Sequence, residues 1–119
     1  MKKIDDTTRK RLKRRASIRK KIKGTPERPR LTVYKSNRHT YVQAVDDLAG
    51  KTLAAASNLE KEHRDIGNKV GTLEKLGQLI AERLKAKNIS AVVFDRNGYR
   101  YHGKVKAIAD GARKGGIRV

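Results

Sequence analysis

The chain has 119 residues, a formal charge of +19 and no cysteine. Its length suits one domain with a modest core, and the missing thiols exclude disulfides, Cys-based zinc sites and thiol catalysis. The charge far exceeds the magnitude of about 2–8 usual for a small soluble domain, no apolar run nears the ~18 residues of a membrane span, and no apolar stretch follows the basic N-terminus as in a secretory signal.

Residues 1–30 carry 14 basic and 3 acidic residues, whereas residues 31–119 carry 17 and 9. This asymmetry divides the chain into a basic arm and linker over 1–29 and a globular domain over 30–119. The run RKRLKRRASIRKKIK, Arg9 to Lys23, holds ten basic residues in fifteen and no acid. A core cannot take up that charge, so its counterpart is an external polyanion. Arg9, Lys10, Arg11, Lys13, Arg14, Arg15, Arg19 and Lys20 are the phosphate-contact candidates, Arg as a fork and Lys as a point charge. Like charges four residues apart oppose a free helix, while Lys, Arg and Leu favour one. The arm is therefore expected to fray alone and to become helical when phosphates screen it. Its few apolar residues, Leu12, Ala16, Ile18 and Ile22, make a poor membrane face. Gly24, Thr25, Pro26 and Pro29 read as a linker.

The period then changes. RLTVYK alternates, Ser36 to His39 supplies a turn, and Thr40–Val45 is a second β-rich run. Asp46 to Gly50 makes another turn and Lys51–Ser57 a weaker third strand, which together read as an antiparallel meander. Val70, Leu73, Leu76, Gly77, Ile80 and Leu84 recur at helical spacing, with Asn88 as a C-terminal stop. Ala91–Phe94 reads as a strand buried on both faces. A last helix carries Val105, Ile108, Ala109 and Ala112 and stops at Gly115-Gly116. The order arm-βββαβα implies a mixed α/β fold, a mixed sheet with helices packed on it.

Two constellations besides the arm suit RNA. The loop DRNGYRYHGK, Asp95 to Lys104, joins a strand's C-terminal end to a helix N-terminus, where ligands and phosphates bind readily. Arg96, Arg100, His102 and Lys104 offer donors, and Tyr99 and Tyr101 offer rings for stacking. The hairpin tip offers Tyr34, Ser36, Asn37, Arg38 and His39, with Tyr41 beside them. Enzyme readings are poor. Asp46, Asp47, Asp95 and Asp110 form a weak carboxylate set, and His39, His63 and His102 lack metal-ligand spacing. A small metal-dependent nuclease using Asp95 or Asp46, and a general basic chaperone or membrane-surface protein, are the rival readings.

The strings PRLTVYKSNRHTYVQAVDD and VVFDRNGYRYHGKVKAIADGAR, with the basic arm, resemble the bacterial branch of the family of large-subunit ribosomal proteins numbered eighteen. The resemblance covers nearly the whole chain. It implies a ribonuclease-H-like, translation-machinery type of sheet and a cytoplasmic, ribosomal, non-enzymatic protein of the central protuberance. It further implies binding to 5S rRNA, attachment of that RNA to 23S rRNA beside neighbouring 5S-binding proteins, and no cofactor, metal, membrane or small-molecule substrate. Arg28 and Arg30 join the contact candidates on this basis. Lys104 stands where the family commonly has Arg, and Val119 where an aromatic is frequent. Gly111 stands where Ala is common, which by propensity alone weakens the last helix by about 1 kcal/mol.

Overall fold

The structure is a computed structural model and describes residues 5–36 and 38–119. Its elements are α1 (Asp6–Lys21), β1 (Arg30–Lys35), β2 (Thr40–Asp46), β3 (Lys51–Ser57), a 3-10 turn (Lys61–Ile66), α2 (Val70–Lys85), β4 (Val93–Asp95) and α3 (Lys104–Lys114). The four strands form one sheet in the order β3-β2-β1-β4. The first three run antiparallel, with Val33 opposite Val42 and Ala44 opposite Ala54. β4 joins β1 in parallel, Leu31 opposite Phe94. The fold is thus the mixed α/β arrangement that the order of elements predicts.

Alternation sends Leu31, Val33, Val42, Ala44 and Ala56 to one face, where they meet Leu73, Leu76, Ile80 and Leu84 of α2 and Val105, Ile108 and Ala112 of α3. Burying each Leu, Ile or Val among them is worth about 1.5–3 kcal/mol, so this layer dominates the domain's stability. The opposite face is open at one end, where Tyr34 and Tyr41 face each other across the β1–β2 ladder and are both exposed.

The two packed helices cross at small residues. A Cβ on Gly77 would overlap the Ile108 carbonyl and come within 2.9 Å of Gly111 Cα. A Cβ on Gly111 would likewise overlap the Glu74 carbonyl. Gly111 therefore permits close helix contact, which outweighs its propensity cost. Both helix ends follow the sequence: Asn88 takes a positive φ after α2, with Ile89 N–H bonded to Leu84 O, and Gly116 does the same after α3, with Ile117 N–H bonded to Ala112 O.

Ala91–Phe94 is not a strand buried on both faces. β4 lies at the sheet edge, Val92 is buried, and Val93 and Phe94 are only half-buried. Ala91 instead makes a parallel bridge to Arg118, so the C-terminal segment extends the edge. The arm is a sixteen-residue helix, α1, the conformation expected of it on phosphate. Asp5 caps it, its side chain accepting from Thr8 N–H at 2.7 Å. Asp6 lies in the first turn and Arg19, Lys20 and Lys21 in the last, matching the helix dipole. Contacts to the domain supply the rest.

Candidate nucleic-acid interface

The Asp95–Asn97–Gly98 turn is the seat of α1. Asn97 and Gly98 both take positive φ, which Asn tolerates and Gly adopts freely. The Asn97 N–H donates to Asp95 Oδ1 at 2.9 Å, closing a local turn. Asn97 is fully buried, and its amide donates to the Val33 carbonyl at 3.1 Å. This leaves the carbonyls of Asn97 and Gly98 facing α1. Arg11 Nη1 donates to the first at 3.0 Å and Arg14 Nε to the second at 2.9 Å. The helix backbone comes so close that a Cβ on Gly98 would overlap the Arg11 carbonyl.

An ion-pair cluster fastens the C-terminal half of α1. Arg19 donates through Nε to Asp95 Oδ2 at 3.0 Å and through Nη2 to Asn97 Oδ1 at 3.1 Å. Arg30 donates to the same Asp95 oxygen at 2.7 Å and grips Asp47 with Nε and Nη2 at 3.0 and 3.1 Å. Asp47 also accepts from Gly24 N–H at 2.7 Å, tying the linker to the end of β2. Burial opposes ionisation of Asp95, but the Asn97 N–H and the Arg19 and Arg30 guanidiniums outweigh it and hold the carboxyl below its ordinary range. The bond from Arg30 does the same for Asp47.

Tyr99 joins the arm, the loop and the hairpin. Arg11 lies over its ring at 4.7 Å from the centroid and the Lys35 ammonium at 5.1 Å. The Tyr99 hydroxyl donates to the Lys35 carbonyl at 3.3 Å, and Arg96 Nη1 donates to the Tyr99 carbonyl at 3.0 Å. The hairpin tip is held from below by the segment after β3. Asn68 Nδ2 donates to Ser36 O at 3.2 Å, and Asn58 accepts from Thr40 N–H at 3.1 Å.

The structure therefore sorts the residues singled out from sequence. Arg19 and Arg30, expected on phosphate, are turned inward onto Asp95, Asn97 and Asp47. Arg11 and Arg14 spend donors on backbone carbonyls, and Tyr99 is a joint between elements rather than an open stacking face. Arg9, Lys10, Lys13, Lys20, Arg28, Arg38, Arg100 and His102 are exposed, as are Tyr34, Ser36 and Tyr101; Arg15, His39, Arg96 and Lys104 are half-buried. Asn37 lies outside the described residues. The carboxylates weighed and set aside as metal ligands are also committed: Asp46 accepts from Leu48 N–H at 3.0 Å in a local turn, and Asp110 pairs with Arg113 at 3.1 Å. Sequence reasoning missed the internal seat of α1. Its one local signal is Asp95 two residues before Asn97-Gly98, a pattern that builds a tight turn with outward carbonyls.

Residues 5–119 match the protein family described as ribosomal L18 of archaea, bacteria, mitochondria and chloroplasts. The large ribosomal subunit protein uL18 of Treponema denticola is 57% identical over 117 residues, 98% of each chain. The uL18 proteins of Myxococcus xanthus and Staphylococcus saprophyticus are 56% and 50% identical, covering 91% and 94% of this chain and 93% and 94% of their own. A match that spans the capped helix, its seat on the loop and the sheet beneath places the chain in the ribosomal L18 family.

Proposed function

We propose that the chain is a structural constituent of the large ribosomal subunit that binds 5S rRNA and helps attach it to 23S rRNA in the central protuberance, beside other 5S-binding proteins. It works without catalysis and in the cytoplasm, on the ribosome. The observation that carries this reading is the division of labour within α1: one side is bonded to the domain through Arg11, Arg14 and Arg19, while Lys10, Lys13 and Lys20 remain exposed. Seating the helix converts a self-repelling run into a fixed row of cations beside the loop that carries Arg96, Arg100 and His102. A fixed row matches phosphates at the spacing of a folded RNA with less ordering entropy than a free tail. Selectivity then falls to the folded surface, because RNA duplexes hide base edges and proteins read loops and irregular helices instead.

Competition binding tests the proposal. 5S rRNA should outcompete transfer RNA for the full chain at two salt concentrations, with affinity for both falling as salt rises. Equal affinity for transfer RNA, duplex DNA and anionic vesicles would favour a general basic binder and defeat the 5S reading. RNA cleavage with magnesium or manganese present would revive the nuclease, although Asp95 already spends its oxygens on Arg19, Arg30 and the Asn97 N–H.

A further inference from the structure

An open crevice of about 370 Å³ lies between the C-terminal end of α1 and the β4 edge. Ile18, Ile22, Phe94 and Tyr101 supply its apolar lining, and Lys21 and Arg96 complete it. The Phe94 and Tyr101 rings meet edge to face, with centroids 5.8 Å apart and planes 83° apart. They form a corner: a flat group lying on one ring abuts the other. Both rings are braced. The Tyr101 hydroxyl accepts from Arg113 at 2.9 Å, and Phe94 is held in the β4 ladder opposite Leu31.

The chemistry of the lining selects its occupant. A bare phosphate would find cations but gain nothing from four apolar walls. A lipid surface needs a protruding apolar face rather than a recess. A flat, uncharged, π-faced group that carries a phosphate uses both parts, and an unstacked nucleotide is such a group. The size lies within the usual range for small-ligand sites. Resting on the RNA-binding reading above, we propose that this crevice receives one unpaired nucleotide of the bound RNA, its base against the Phe94–Tyr101 corner and its phosphate beside Lys21 and Arg96. One wall belongs to α1 and the other to β4 and its loop. The site is complete only while α1 is seated, so capture of the nucleotide favours the seated helix.

Two variants of the full chain test this, each checked for its fold by circular dichroism and thermal melting. Ile22→Trp fills the crevice and Tyr101→Ala removes a wall. Each is expected to weaken binding of a 5S rRNA transcript about tenfold while making the slope of log K against log salt shallower by no more than about one unit, since only the evicted nucleotide's own phosphate contact is lost. Crosslinking the unmodified chain to the same transcript at short ultraviolet wavelength should join Phe94 or Tyr101 to one unpaired nucleotide. Unchanged affinity in both variants together with no crosslink at either ring overturns the proposal, and means that the crevice takes a neighbouring protein's apolar side chain or nothing. An unmodified chain with no preference for 5S over transfer RNA defeats the 5S reading instead, and the crosslink then decides the crevice on whichever RNA is bound.

Discussion

Asp95 has no exposed surface, yet three parts of the chain converge on it: α1 through Arg19, β1 through Arg30, and its own turn through the Asn97 N–H. Replacing Asp95 with Asn removes the charge and leaves two guanidiniums facing each other with less to hold them. Breaking one side of a buried pair costs about 3–5 kcal/mol. Arg19 keeps some solvent contact, so urea unfolding of Asp95→Asn should show a loss nearer the lower end, about 3 kcal/mol, with faster amide exchange along α1. An unchanged midpoint and unchanged exchange would contradict the seating of the helix. The same cluster sets an acid limit. Asp47 and Asp95 are held below their unfolded values, so the folded state resists protonation more than the unfolded state does. Their stabilisation is fully present above about pH 4, near the unfolded carboxylate value, and is lost as pH falls through the lowered folded values. Melting temperature measured from pH 7 to pH 3 should fall in that acid window, and less steeply in Asp47→Asn. Arg30 also shows why such pairs escape sequence reading. Its partners lie 17 and 65 residues away, and only the register of β1 against β2 and β4 brings them together, so a basic segment looks free for RNA when one of its forks is already filled.

At the scale of elements, the α2–α3 contact shows where local propensity loses. Gly77→Ala improves helix propensity by about 1 kcal/mol but drives a Cβ into the Ile108 backbone and to 2.9 Å from Ala112 N. Overpacking of this kind costs about 1–3 kcal/mol, and backbone cannot move aside as a side-chain tip can. Gly77→Ala should therefore melt lower than the unmodified chain. Gly71→Ala, in the same helix with open space around it, should melt no lower, and equal behaviour of the two variants would contradict the close crossing. Period and punctuation predict β1 and β3 at their observed bounds, and the stripes of α2 and α3 supply most of the core. Those signals are local and survive folding unchanged. The 3-10 turn over Lys61–Ile66 has too few residues to set a period. The edge position of β4 was illegible for another reason: an apolar run reports burial in general, and Val93 and Phe94 find theirs without strands on both sides. The seating of α1 depends in part on two backbone carbonyls, which carry no sequence signature beyond the Asn97-Gly98 turn.

For the molecule as a whole, a charge of +19 is a standing cost in self-repulsion that phosphate relieves. The ordered helix refines how that cost is distributed. Arg11, Arg14, Arg19 and Arg30 belong to the architecture, so deleting residues 1–23 would strip the proposed RNA contacts and also take Arg19 from Asp95, leaving Arg30 as its one guanidinium partner, and uncover the carbonyls of the turn. Neutralising only the outward cations separates the two roles. On the RNA-binding reading, a helix anchored on one side presents its other side to RNA. The most direct test is the salt dependence of 5S rRNA binding by the full chain and by a variant carrying Lys10→Gln, Lys13→Gln and Lys20→Gln. The expected result is an unchanged melting temperature, a retained preference for 5S over transfer RNA, and a slope of log K against log salt shallower by about 2 to 3 units, close to one per lost phosphate contact. An unchanged slope in a folded variant would contradict this reading of the helix.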